Sequence, residues 1–135
     1  MECTVFIDEV VRRRILDVKN AVAELRRLTS KEFREMSLDE VYSMRYNVIV
    51  LAEALTALAA HVLVERFGYR PRTYVEAVEQ LAKRLGVACV DKLKALVRLR
   101  NLLVHAYWTI DDERVHRSIR DDFACVRELL EKLHD

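Results

Sequence analysis

Glycine and proline are nearly absent: the 135-residue chain has two glycines, Gly68 and Gly86, and one proline, Pro71. Sandwiches, barrels and doubly wound sheets turn often, on Gly, Pro or Asn-Gly chemistry, so a β-rich or α/β fold is set aside. An all-α fold in a single domain, residues 1–135, is expected. An excess of one charge is lacking too. Lys and Arg number 23 against 22 Asp and Glu, a formal net charge of +1, which argues against coating nucleic acid by bulk charge but leaves room for a local basic site. Cysteine is scarce: Cys3, Cys89 and Cys125 are odd in number, far apart and form no C-x-x-C. Neither a disulfide framework nor a zinc site is expected, only buried or incidental thiols in a reducing cytosol. Glu2, Asp8 and Glu9 stand where a secretion signal would be basic and then apolar, so a cytoplasmic protein is expected. An uninterrupted membrane-length run is also missing. The most apolar stretch, Asn47 to Val64, contains Glu53 and His61 and is alanine-rich in its second half, which reads as a buried helix with no membrane role.

The apolar residues present follow helical spacing. Val11, Ile15, Val18, Val22 and Leu25 predict a helix from about Ile7 to Leu28 with one buried stripe. Ser37-Leu38-Asp39-Glu40 has capping-box spacing and predicts a second helix from Ser37 to Phe67, stopped by Gly68. Because Val48 to Val64 is apolar on nearly every face, that helix must be covered all round, by its own bundle and by a second chain, hence a homodimer. Thr73-Tyr74-Val75-Glu76 is a second capping box opening a third helix that Gly86 closes, with Val75, Val78, Leu81 and Leu85 inside. A fourth helix is predicted from about Asp91 to His105. After an aromatic connection, Ala106 to Ile110, Asp111 caps a last helix ending near His134. The fold class is an all-α, up-and-down bundle of about five helices.

The segment Arg98-Leu99-Arg100-Asn101-Leu102-Leu103-Val104-His105-Ala106-Tyr107-Trp108 carries the chemistry. At 100° per residue, Leu99, Leu102 and Leu103 turn toward the core, while Arg98, Asn101 and His105 lie on the opposite side, flanked by Arg100. Asn101 and His105 are four apart, so the amide can fix the imidazole's tautomer. Arg100 and His105, five apart, stand about 140° around the helix, a gap that arginine's reach closes near the helix end. A guanidinium grips phosphate oxygens in a planar fork, and an imidazole titrates near neutrality. In RNA the adjacent 2′-hydroxyl is a built-in nucleophile, so this set is enough for cleavage without a metal. The plain structural alternative is a helix-end histidine capping carbonyls beside a surface arginine.

Arg100-Asn101-Leu102-Leu103-Val104-His105-Ala106-Tyr107 resembles the R-x4-H-x-Y signature of HepT proteins, a minimal branch of the HEPN superfamily. The likeness runs from about Arg45 to Leu133 and includes Glu53, His61, Pro71-Arg72-Thr73-Tyr74, Ile110-Asp111 and Val115; Leu99 departs from it, standing where the family often has an aromatic residue. The resemblance implies a HEPN-like bundle that dimerises through the motif-bearing face. It implies a metal-independent endoribonuclease that needs no cofactor and leaves a 2′,3′-cyclic phosphate. It also implies a toxin paired with an MntA-like nucleotidyltransferase antitoxin that transfers AMP to the motif tyrosine. Carried over, Arg100 stabilises the phosphorane, His105 acts as acid or base with its symmetry mate in the other role, Asn101 orients His105, and Tyr107 accepts AMP. Two other classes stand beside it: a noncatalytic nucleotide-binding or nucleotidyltransferase-docking subunit, and a purely structural dimerisation module.

The remaining candidates are weaker. Glu53 and His61 are eight apart, about 12 Å along a helix, too far to form one site. Glu53 is expected to pair with Arg100 or Arg98 across the bundle, either orienting the arginine or forming a salt bridge without a catalytic role. His61 reads as a satisfied core histidine. Glu113 to His116 and Glu131 to His134 have half of a di-iron spacing, but lie about 27 Å apart on one helix, so metal binding is rejected. Arg12-Arg13-Arg14 and Arg26-Arg27 read as solvated charge on the first helix.

Overall fold

A computed structural model describes residues 9–133, without the side chains of residues 121 and 122. Five α-helices, two short 3-10 turns and no strand occur among the described residues. The helices are α1 (Glu9–Thr29), α2 (Leu38–Phe67), α3 (Tyr74–Leu85), α4 (Val90–His105) and α5 (Asp112–Leu133); the turns are Phe33–Glu35 and Tyr107–Thr109. The predicted starts at Ile7 and end at His134 lie outside the described residues.

Local chemistry sets the boundaries. Ser37 Oγ accepts from the Glu40 N–H at 3.1 Å and Glu40 Oε1 accepts from the Ser37 N–H at 2.8 Å, so α2 opens on a complete capping box. It closes at Gly68, whose φ of 62° is left-handed backbone that a side chain would strain. Only half of the second predicted box forms. Thr73 Oγ1 accepts from the Glu76 N–H at 3.0 Å, but the Glu76 carboxylate takes the Arg72 N–H at 2.6 Å and the Tyr69 hydroxyl. Glu76 thereby braces the whole Tyr69–Thr73 connection. Asp111 Oδ1 accepts from the Arg114 N–H at 3.2 Å, as an N-cap of α5 should.

The core lies around α2. Its residues Leu51, Ala52, Ala54, Leu55, Thr56, Leu58, Ala59, Val62 and Leu63 are all buried within this one chain, with α1, α3 and α4 packed along it. Ile49, Val50, Ala57, Ala60 and Val64 are only half-buried, so the bundle covers most of this helix and leaves one apolar strip of it partly open. By length and composition α2 could cross a membrane, but most of its apolar window is packed inside the bundle. On α1 the stripe is Val11, Ile15, Val18, Ala21, Leu25 and Leu28, with Ala21 taking the inward place expected of Val22. On α3, Ala77, Val78, Leu81 and Ala82 are buried, while Val75 and Leu85 only flank the core.

Several long-range connections bind α5 to the rest. Arg120 Nε donates to the Thr29 carbonyl at 2.9 Å, and His116 Nε2 lies 2.8 Å from the Lys31 carbonyl with its ring edge-on to Phe33. These groups satisfy carbonyls at the end of α1 and just beyond it. Cys89, capping α4, and Cys125 of α5 form a disulfide with Cα atoms 6.0 Å apart. This corrects the expectation of free thiols: helix packing brings together two cysteines 36 residues apart, and spacing alone does not reveal it. Cys3 lies outside the described residues.

Candidate functional site

Arg100 is held on three sides. Its Nε donates to Glu53 Oε2 at 2.8 Å and its Nη2 donates to the same oxygen. Its Nη1 donates to Asn101 Oδ1 at 3.0 Å, and its guanidinium carbon stands 4.8 Å from the centre of the Tyr74 ring. A guanidinium has five N–H donors; with three committed to Glu53 and Asn101, two remain, enough for a forked grip on one phosphate. The carboxylate partner thus resolves as Glu53 to Arg100. Tyr74 is the residue that sequence reasoning passed over, seen there only as a flank of the motif. No spacing rule could have marked it, because its partner lies on another helix.

His105 is the last residue of α4 and is exposed. The helix ends there because Ala106, with φ −147° and ψ 45°, leaves helical backbone while its N–H still reaches the Leu102 carbonyl at 2.7 Å. Asn101 pairs with Arg100, and no hydrogen bond joins it to His105 among the described residues. Tyr107 follows on the short 3-10 turn, exposed, its ring edge-on to Trp108 at 5.4 Å. That turn is fastened from α2: Arg45 Nη1 donates to the Tyr107 carbonyl at 3.3 Å, while Nε and Nη2 fork onto Asp112 at 2.7 and 2.8 Å.

Arg98 is not brought to Arg100. Two residues apart on a helix, the pair diverges by about 200°. Arg98 instead lines an apolar cleft of about 460 Å³ between α4 and α5, with Leu96, Leu99, Leu102 and Arg114. The cleft also corrects the expected packing of α4: Leu103 is buried and Leu99 partly so, but Leu102 is 47% exposed because α5 does not close over it. Glu53 reaches the arginine across the bundle.

The other candidates are accounted for locally. No group of three or more His, Cys, Asp or Glu that could hold a metal occurs among the described residues, and His116 is spent on the Lys31 carbonyl. Arg13 and Arg14 pair with Asp17, Arg27 pairs with Glu24, and Arg26 lies over the Phe123 ring.

Fold and site together define a class: a five-helix bundle that presents an anchored arginine and, five residues later at the helix end, an exposed histidine. Within that class the chain belongs to the family described as ribonuclease HepT-like, whose model matches residues 15–133. It is also similar to two solved structures. One is a toxin-antitoxin crystal structure with AMP-PNP, at 17% identity and TM-score 0.80; the other is a mutant of the toxin-antitoxin MntA-HpeT, at 18% identity and TM-score 0.78. Each match covers 93% of this chain and 98% of the other, and at these identities the likeness establishes the fold. No curated protein sequence matches the chain.

Proposed function

We propose that this chain is a metal-independent endoribonuclease toxin, a single HEPN domain working as a cytoplasmic homodimer. The observation that carries the reading is the pairing, in a ribonuclease family, of a preorganised Arg100 that keeps two donors free with an exposed His105 on the same helix end. One His105 removes the proton of the RNA 2′-hydroxyl, whose oxygen attacks the adjacent phosphorus. The P–O5′ bond breaks, and the leaving 5′-oxygen takes a proton from His105 of the second copy. The products are a 2′,3′-cyclic phosphate and a 5′-hydroxyl. Arg100 balances the extra charge of the pentacovalent phosphorane through its two remaining N–H groups.

A dimer through the motif-bearing face draws support from the exposed apolar side chains crowded around the motif, Leu102, Val104, Tyr107 and Trp108. The similar solved structures, one holding AMP-PNP and the other an MntA pair, support an MntA-like nucleotidyltransferase antitoxin as partner. In that reading the exposed Tyr107 hydroxyl attacks the α-phosphorus of ATP, releasing pyrophosphate and leaving AMP on the phenolic oxygen. The added phosphate then repels the RNA backbone from the cleft.

The test is cleavage of RNA by the purified protein in excess chelator, with His105→Ala losing about 10²- to 10⁴-fold in rate while its circular dichroism is unchanged. Wild-type protein that carries no AMP and is inert on several RNAs, yet still binds the nucleotidyltransferase, would overturn it in favour of a noncatalytic docking subunit.

A further inference from the structure

Beside Arg100, on the side away from the α4–α5 cleft, a hollow of about 250 Å³ lies between α2 and the start of α3. Ala57 and Ala60, a turn apart on α2, give it a floor without bulk, and Glu53, Thr56, Arg72 and Tyr74 line it. Ligand pockets for drug-sized molecules begin near 300 Å³, so this one suits a single planar group. Three of its groups are in a state that points to a ligand. Thr56 is only 6% exposed, and its hydroxyl is the one buried side-chain polar atom without a hydrogen bond among the described residues. Native proteins rarely leave such a group unsatisfied. Glu53 spends Oε2 on Arg100, while Oε1 makes no hydrogen bond among the described residues. Tyr74 is 40% exposed, and Arg100 stands over its ring. The Glu76 brace on the preceding connection holds Tyr74 in place.

We propose that this hollow takes one unpaired nucleobase of the RNA, the base flanking the phosphodiester that Arg100 grips; the proposal rests on the ribonuclease reading above. An unstacked base brings a π face for Tyr74 and an edge of donors and acceptors. The Thr56 hydroxyl can serve as either partner to that edge. Glu53 Oε1 accepts, so it matches the exocyclic amino group of adenine, cytosine or guanine. Uracil offers only an N–H set between two carbonyl oxygens, which the carboxylate repels. The pocket therefore discriminates against uracil. Arg72, exposed at the rim, faces the strand's next phosphate as a point of charge.

The experiment is an NMR titration of the wild-type protein with the four nucleoside 3′-monophosphates and, separately, with inorganic phosphate. Adenosine, cytidine and guanosine monophosphates should shift the Thr56 and Tyr74 signals and bind on the order of tenfold more tightly than the uridine compound, while phosphate alone leaves Thr56 unmoved. Thr56→Val, nearly the same shape, and Ala60→Leu, which fills the floor, should each weaken the three favoured nucleotides on the order of tenfold with unchanged melting temperature. Equal binding of all four, or shifts that bypass Thr56 and Tyr74, or binding indifferent to both variants, overturns the proposal. Cleavage assays separate the two readings: RNA cut without base binding removes the pocket and leaves the ribonuclease. Bases bound by a protein that cuts no RNA keep the pocket and remove the ribonuclease.

Discussion

A guanidinium held by a carboxylate on one edge, an amide beside it and a ring on one face has lost most of its rotamer freedom before any substrate arrives. That is the condition of Arg100, and it lowers the entropic cost of gripping a phosphate. Lysine keeps the charge but has no planar fork and only three donors, against the five that the two bonds to Glu53, the one to Asn101 and a forked grip on phosphate require. Arg100→Lys should therefore lose on the order of 10²-fold in RNA cleavage with an unchanged fold. Activity within a factor of two of wild type would show that charge alone is used at this position. At this scale the motif was legible in the sequence and its partners were only half so. A carboxylate in an apolar helix needs a counter-charge, which points Glu53 to Arg100 or Arg98 without choosing between them. Helical spacing offers Asn101 to His105, whereas in the structure its Oδ1 accepts from the adjacent Arg100.

At the scale of elements, the helix ends follow their capping residues, and the Tyr69–Thr73 connection is fastened by the Glu76 carboxylate. The Glu76 carboxylate is held below the ordinary glutamate value of 4.5 first by the Tyr69 hydroxyl and then by the Arg72 N–H. Glu40 is lowered by the Ser37 N–H and then Lys31, and Glu79 chiefly by Lys94. Groups with lowered folded-state values stabilise fully above the unfolded value and lose that contribution as the pH falls through the folded one. The melting temperature should thus drop as the pH is taken from 5 to 3, below the ordinary glutamate value of 4.5, and Glu76→Gln should make that drop shallower. Equal slopes in wild type and variant would show that the Glu76 brace does not matter. The Cys89–Cys125 disulfide closes a loop of 36 residues. Loop-closure entropy of that length is worth about 3–4 kcal/mol. A Cys89→Ser, Cys125→Ser double variant should melt about 10 °C lower by calorimetry, and an unshifted melt would mean that the crosslink restrains nothing in the unfolded chain.

For the whole molecule, the distribution of apolar surface matters more than its amount. The bundle buries most of α2 and leaves Ile49, Val50, Ala57, Ala60 and Val64 half-covered, whereas the side chains around the motif are exposed and are the natural dimer contact, with Trp108 at 72% exposure the largest of them. Buried aromatic residues dominate association energies. Light scattering at micromolar concentration should give twice the 15.8 kDa chain mass, and Trp108→Glu should return it to the single-chain value. A wild-type protein of single-chain mass would remove the two-histidine mechanism, since the second proton-transfer group comes from the second copy.

The sequence by itself determined the helical class, the capped ends at Ser37, Gly68, Thr73 and Gly86, and the Arg100 to His105 motif, because capping, periodicity and turn chemistry act between residues close along the chain. Tertiary structure alone decided that Tyr74 lies against Arg100, that Arg98 faces a different cleft, that Leu102 stays exposed, and that Cys89 meets Cys125. Each of these depends on the angle and spacing at which two helices pack. Those are set by how all five helices fill the core together, and no local pattern encodes them.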